Sequence, residues 1–319
     1  MSNQHQNSNA HDVASMSAAR SSDPNASPTH KRDGIHLIST SPAVWENLTG
    51  KYQFSDVTYK VSVKDKVARI AFNRPEVLNA FRPRTINEIR KAIELAQDDI
   101  NVGVIILTSE NQGSFCAGGD QNVRGEGGYD DGTEDAPRLR VLDLQVQMRR
   151  CPKPIMAVVY GYAIGGGHIL HMLCDITLAS DDAVFGQTGP RMGSFDAGYG
   201  STHMARLVGQ KKAREMWFLC KFYSAEEAVR IGLVNAVYKK AELEGEAMRW
   251  CRRMIMNSPT AIACCKAALN ADEDGAAGVA LLAGQATRLF YLTEESKEGK
   301  KAFLEKRAPR FRDLPSSRL

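Results

Sequence analysis

The chain has 319 residues, 43% hydrophobic and 24% charged, with a net charge of +4 and a pI near 8.6. That is ordinary globular composition, with enough length for one large or two small domains around a sizeable core. The mild positive balance, without a basic cluster interleaved with aromatics, argues against nucleic acid as a partner. No stretch has the uninterrupted apolar length of a membrane span, and the start shows no signal-peptide core, so no membrane partner is expected. Seven cysteines include no Cys-x-x-Cys pair. Cys116, Cys174, Cys220 and Cys251 lie in apolar runs, which suits buried free thiols in a reducing compartment.

Residues 1–50 are rich in Ser, Asn, Asp, His and Pro and read as disordered, with order expected from near Phe54. Asp56–Val63 alternates polar and apolar and predicts a strand; Val67–Phe72 is the returning strand after the Asp65-Lys66 turn. Arg84 to Asp99 has helical spacing, and a strand over 103–108 follows. Residues 124–137 carry many glycines and acids without a period and read as a mobile loop, placed where lids occur. A helix over Leu139–Met148 and a strand over Ile155–Tyr160 come next, then the strands Ile176–Ala179 and Ala183–Gly186. Residues 187–200 are too glycine-rich for a helix and too polar for a core strand. Helices are predicted over Ser201–Val208, Lys211–Leu219 and Ala225–Ile231, then a short strand Val234–Val237, then helices over 242–255, 259–270, 274–291 and 294–305. The domain limits expected are an extension over 1–53, a core over 54–240, a helical region over 241–312 and a tail over 313–319. The final Ser317-Arg318-Leu319 resembles a peroxisomal address, so the expected compartment is peroxisomal for a eukaryotic source and cytoplasmic for a bacterial one.

One stretch organises the rest: Val158 to Asp175, containing Tyr160-Gly161-Tyr162-Ala163-Ile164-Gly165-Gly166-Gly167-His168. It reads as a buried strand, a glycine turn and the start of an apolar helix. Glycines at a helix start leave backbone N–H groups unobstructed, and the helix dipole favours an oxyanion there. Close helix–strand packing explains the same triplet equally well. No nucleotide-binding fingerprint follows. A second strand-then-glycine segment, Ser114-Phe115-Cys116-Ala117-Gly118-Gly119-Asp120-Gln121, supplies the other half of a two-donor arrangement. His168 and His171 lack a third ligand and read as packed core histidines rather than a metal site. Trp217 and Tyr291 read as core by spacing alone, and Asp196 as a turn or N-cap residue.

Phe-x-x-Gly-Gly-Asp followed by Gly-Tyr-x-x-Gly-Gly-Gly resembles the crotonase (enoyl-CoA hydratase/isomerase) superfamily. The resemblance implies an α/β fold, a spiral of ββα units with a C-terminal helical trimerisation region. It also implies an acyl-CoA substrate and a homo-oligomer, a trimer or a dimer of trimers. The amides of Gly119 and Gly166 would be the donors that hold a thioester enolate. CoA contacts map to Ala117, Gly118, Gly119, Asp120 and Gln121, to Tyr162, Ala163, Ile164, Gly165 and Gly166, and to Thr188 and Lys306. Asn122 and Leu78 stand where relatives often carry basic residues, which puts the CoA phosphate contacts in question.

The two carboxylates used for hydration in that superfamily fall here on Ile169 and Gly189, which speaks against hydratase chemistry. Gln187-Thr188-Gly189-Pro190 and Gly193-Ser194-Phe195-Asp196-x-Gly198-Tyr199-Gly200 resemble the 1,4-dihydroxy-2-naphthoyl-CoA synthase family. So do Gly209-Gln210-Lys211-Lys212-Ala213-Arg214-Glu215-x-Trp217 and Leu289-Phe290-Tyr291-x-Thr293-Glu294, over about residues 54–312. This implies an intramolecular Claisen condensation of o-succinylbenzoyl-CoA in menaquinone or phylloquinone biosynthesis. Asp196 would be the acid, Ser194 would hold the carboxylate, and Tyr129 and Tyr291 would contact substrate, Tyr291 in a neighbouring subunit. Bicarbonate held by Gln187, Gly189 and Trp217 would replace the missing base, with no metal. Another acyl-CoA isomerase or hydrolase, or a non-enzymatic acyl-CoA-binding protein, is the alternative.

Overall fold

The computed structural model describes residues 34–126, 128–129, 139–195 and 198–314. Met1–Ile38 forms one unit, of which the described part is a turn of 3-10 helix at Ile35–Leu37. Ser39–Leu319 forms the other. Its elements begin with Glu46–Asn47 (β1), Val57–Ser62 (β2), Val67–Phe72 (β3), Pro83–Asp98 (α1), Val104–Ser109 (β4) and Ser114–Cys116 (β5). The small hairpin Arg124–Gly125 (β6) and Gly128–Tyr129 (β7) and the helix Val141–Arg150 (α2) come next. Then follow Ile155–Val159 (β8), Tyr162–Ile164 (β9), Gly166–Met172 (α3), Ile176–Ser180 (β10), Val184–Gly186 (β11), Gly200–Val208 (α4) and Gln210–Leu219 (α5). The remainder is Phe222–Ser224 (β12), Ala225–Arg230 (α6), Ala236–Tyr238 (β13), Leu243–Ile255 (α7), Pro259–Asp274 (α8), Ala276–Phe290 (α9) and Glu294–Leu304 (α10).

From β4 to β11, apart from the β6–β7 hairpin, the strands alternate between two sheets. The larger has the order β1-β2-β3-β4-β8-β10-β13, antiparallel up to β3 and parallel from β3 to β13. The smaller has the order β12-β11-β9-β5, with β5, β9 and β11 parallel. In the pairs β4/β5, β8/β9 and β10/β11 the first strand joins the larger sheet, the second joins the smaller, and a helix follows. That is the ββα repeat, with helices gathered at the C-terminal end.

The larger sheet is buried on both faces, which explains its nearly continuous apolar strands. Ile105 and Leu107 of β4 face a core shared with Ile86, Ile89 and Ile93 of α1. Val104 and Ile106, one residue out of phase, face Leu243, Ala247, Met248 and Cys251 of α7. Order starts earlier than Phe54. Leu48 donates its amide to the Tyr59 carbonyl at 2.9 Å, and the Tyr52 and Phe54 rings stack 5.9 Å apart, contacts a polar window does not disclose. Among the described residues no helix is long and apolar enough to cross a membrane. All seven cysteines are free, five of them buried.

Glu110, just past β4, ties three strands together. It accepts from Thr58 on β2 and pairs with Lys60 and Arg69, each at 2.7 Å. Burial alone would raise its pKa, but the Lys60 and Thr58 hydrogen bonds and the Arg69 charge outweigh it and hold the carboxyl at about 2. A carboxyl so depressed stabilises the fold above its unfolded value and loses that contribution as pH falls from about 4.5 towards 2. Glu110→Gln should therefore flatten the acid limb: its urea midpoint should fall less than the wild-type midpoint between pH 5 and pH 3. Equal slopes would count against this pairing.

Candidate active site

Because β5, β9 and β11 lie side by side and parallel, their C-terminal ends deliver three loops to one edge. These are Ala117-Gly118-Gly119, Gly165-Gly166-Gly167 and Gln187-Thr188-Gly189. The organising stretch differs from its reading as one strand running into a helix. β8 ends at Val159, the chain crosses to the smaller sheet at Gly161 (φ +56°), and the strand that feeds α3 is the short β9. A Cβ on Gly161 would collide with the Gly113 carbonyl, so only glycine permits the crossing.

Each glycine turn leaves at least one amide without a partner among the described residues. Residues 78–81 lie along the first turn. Phe81 N–H donates to the Gly118 carbonyl at 2.8 Å, and Asp120 N–H donates to the Phe81 carbonyl at 2.9 Å. In this parallel bridge Gly118 and Asp120 satisfy Phe81, so the Gly119 N–H turns away from it. Gly166 is the first residue of α3, where amides have no partner within the helix. The turns touch: a Cβ on Gly118 would lie 3.1 Å from the Gly166 nitrogen. No hydrogen bond from either amide is formed among the described residues. Two free amides at neighbouring turns, one with a helix dipole behind it, suit a developing oxyanion.

Other expected residues gather here. A Cβ on Gly119 would collide with the Tyr129 hydroxyl, which accepts from Gln121 Nε2 at 2.9 Å. The Thr188 hydroxyl lies over Gly165. The Gln187 amide, 1% exposed, donates to the Gly165 carbonyl at 3.3 Å and buttresses that turn. Ser194 donates its N–H to the Gly189 carbonyl at 2.8 Å. A Cβ on Gly189 would lie 3.2 Å from the six-membered ring of Trp217. The Trp217 indole N–H, on the other ring, is buried with no acceptor among the described residues. Ala163, Ile164 and Ile169 are buried, whereas Tyr162 is exposed.

Some expected residues stay apart. Asp196 lies outside the described residues, as do 130–138 of the expected lid and the Ser317-Arg318-Leu319 tail. Tyr291, expected by spacing in the core, is 68% exposed at the end of α9. That end of α9 lines a cleft with Gln97, Asp98 and Lys153, beside the starts of β4 and β8 rather than the glycine turns. Lys306 is exposed beyond α10, and no hydrogen bond among the described residues joins it to the turns. The Asp120 carboxylate, 3% exposed, is engaged by Arg74 at 2.9 Å and by the Asn122 amide at 3.0 Å. Arg74 and its clamp on Asp120 carry no sequence signal, since 46 residues separate them.

His168 and His171 are fully buried and bonded to each other at 3.1 Å, and burial holds His168 neutral with a pKa of about 3. Among the described residues no group of three or more His, Cys, Asp or Glu side chains could hold a metal ion.

Comparison with known proteins agrees with this geometry. The enoyl-CoA hydratase/isomerase family model matches residues 62–314. The chain belongs to that family. It resembles an enoyl-CoA hydratase subunit I from Geobacillus kaustophilus at 32% identity and a TM-score of 0.64, covering 81% of this chain and 98% of that one. An enoyl-CoA hydratase from Bacillus anthracis is 26% identical with a TM-score of 0.63, over 82% of this chain and 100% of that one. Pseudomonas aeruginosa DspI is 26% identical with a TM-score of 0.64, over 80% and 96%. Members of this crotonase family are enzymes that act on acyl-CoA substrates.

Gly119→Ala would drive the new methyl into the Tyr129 hydroxyl while leaving the sheets untouched. We expect acyl-CoA turnover to fall on the order of a hundredfold, the scale of an ångström's misplacement. Thermal melting should move by only a few degrees. Unaltered turnover would show that Tyr129 and the Gly119 turn are not coupled.

Proposed function

We propose that the chain is a 1,4-dihydroxy-2-naphthoyl-CoA synthase, closing the ring of o-succinylbenzoyl-CoA with loss of water. The observation that carries this reading is the Gly189 position. Where a hydratase needs a carboxylate, there is no side chain, and the Trp217 indole, whose buried N–H lacks an acceptor among the described residues, packs its six-membered ring against the position. The other hydratase position, Ile169, is buried among apolar side chains. The hydratase relatives favour hydration as the second reading, but neither position has a group to activate water.

The reaction begins with loss of a proton from a carbon α to the thioester. The charge that develops on the thioester oxygen is held by the Gly119 and Gly166 amides, each such donor typically contributing about 3 kcal/mol or more. The carbanion attacks the benzoate carboxyl carbon, a C–C bond forms, and the carboxyl oxygen leaves as water after protonation. A carboxylate is a poor electrophile, so it must be protonated or strongly hydrogen-bonded first. Ser194 is assigned to hold it and Asp196 to supply the proton. Gln187, the Gly189 amide and Trp217 would hold bicarbonate, which when bound supplies the base that Gly189 cannot. Tyr129 contacts substrate beside the Gly119 turn.

On this reading Tyr291 requires a neighbouring copy. The exposed Val279, Phe290, Leu292, Phe303 and Leu304 form the face we assign to homo-oligomer packing, a trimer or a dimer of trimers. This brings Tyr291 of one copy to the site of another.

The decisive assay is conversion of o-succinylbenzoyl-CoA in degassed buffer with and without bicarbonate. We expect product formation that requires bicarbonate. In Trp217→Phe the bicarbonate concentration for half-maximal rate should rise tenfold or more, since a hydrogen bond to a charged group typically contributes about 1.5–3 kcal/mol. Turnover indifferent to bicarbonate would overturn the base assignment alone. No turnover despite tight acyl-CoA binding would point to a non-enzymatic acyl-CoA-binding protein.

A further inference from the structure

Phe81 stands between the two glycine turns and is 3% exposed, so its ring is packed inside the protein rather than offered to substrate. Its backbone forms the bridge to the first turn, through the Gly118 carbonyl and the Asp120 N–H. Its ring reaches the second. A Cβ on Gly166 would lie 2.5 Å from Phe81 Cζ and 2.7 Å from Cε1, so the ring fills the space a side chain at Gly166 would occupy. One residue therefore touches both donor-bearing turns, by hydrogen bonds on one side and by packing on the other.

The segment that carries Phe81 is fastened on both sides of it. Leu78 and Asn79 are consecutive non-glycine residues at φ +52° and +57°, a left-handed conformation that leucine rarely adopts. Such backbone persists only where its surroundings over-determine it. Here Asn79, fully buried, accepts the Arg74 N–H at 2.8 Å and donates to the Ser114 carbonyl of β5 at 2.7 Å. The Leu78 carbonyl accepts the Ala117 N–H at 3.1 Å and the Ser114 hydroxyl at 2.9 Å. On the other side of Phe81, Arg82 grips Asp56 at 2.7 Å. The ring is thus presented to Gly166 from a fixed backbone.

We propose that Phe81 is a positioning residue that sets the separation of the Gly119 and Gly166 amides. This rests on the reading of those amides as the donors to the thioester oxygen. Two donors act on one oxygen only when both lie about 2.7–3.1 Å from it. The turns meet backbone to backbone, with a Cβ on Gly118 only 3.1 Å from the Gly166 nitrogen, and glycines present no side chains to fix their register. The Phe81 ring supplies that restraint. It acts on Gly166 from a backbone hydrogen-bonded to the residues on either side of Gly119.

The test reads the polarisation of the thioester. Butyryl-CoA labelled with carbon-13 at its thioester carbonyl presents that carbonyl and carries no benzoate to react. Infrared difference spectra should show the bound carbonyl of the wild type shifted to lower frequency than in free butyryl-CoA. In Phe81→Leu, which stays apolar but shortens the reach, at least half of that shift should be lost. On o-succinylbenzoyl-CoA, kcat should fall about tenfold or more while KM stays within about threefold. The contact is tested separately by melting. Gly166→Ala should lower the melting temperature of the wild type, and by less than half as much in a Phe81→Ala background, where the methyl has room. A full carbonyl shift in Phe81→Leu, or equal effects of Gly166→Ala in the two backgrounds, would overturn the proposal. Wild-type protein that leaves the carbonyl unshifted would instead overturn the reading of the amides as donors. Wild-type protein that shifts the carbonyl but does not convert o-succinylbenzoyl-CoA would overturn only the synthase assignment, and the shift in Phe81→Leu would still decide the role of Phe81.

Discussion

The parallel pairing of β5, β9 and β11 is the constraint on which the site depends. Parallel neighbours end together, so three loops far apart in sequence arrive at one edge. The pairing requires the chain to leave β8 and enter β9 within two residues, over the Gly113 carbonyl. That contact tolerates no Cβ at Gly161, and the same closeness recurs where Gly167 meets the Cys116 carbonyl. Glycine here is demanded by backbone approach as much as by chemistry. The two readings of the glycine triplet are thus both satisfied, at different positions: Gly167 packs, and Gly166 leaves an amide free.

Around that edge the electrostatics come from dipoles rather than charges. His168 and His171, next to the Gly166 turn, are neutral because burial disfavours their charged forms. Asp120, next to the Gly119 turn, is neutralised by Arg74. Arg74 also lies 3.7 Å from Asp56, which Arg82 grips at 2.7 Å, so the 78–82 segment and its bridge to Gly119 are locked by ion pairs behind the donors. Among the described residues, what faces the edge is a set of N–H groups with the Tyr129 and Thr188 hydroxyls beside them. Such a site receives negative charge and contributes little of its own.

The helical C-terminal region has two characters. α8 is tied to the core by ion pairs at its middle and at its C-terminal end, Lys266 with Asp175 at 2.7 Å and Arg149 with Asp274. α9 and α10 are fixed far less tightly to the chain's own core and leave large apolar side chains in solvent. Spacing alone assigns Tyr291 to a core because helical periodicity records that a face is apolar, not what covers it.

Much of this was legible from the residues in order. Strand and helix limits followed periodicity to within a few residues, because the larger sheet is buried on both faces and α1 and α7 on one. The glycine motifs marked the two turns, although close packing and bare backbone amides accounted for them equally well in the sequence. Ile169 and Gly189 marked what the site lacks. What the tertiary structure alone decided was partnership: the Phe81 bridge that turns out the Gly119 amide, the Arg74 clamp on Asp120, and the Arg149–Asp274 pair. Each joins segments distant in sequence, whose residues one at a time read as turn, surface charge or core. Sequence records what each residue can do locally; only packing determines which donor meets which acceptor and which amide is left without one.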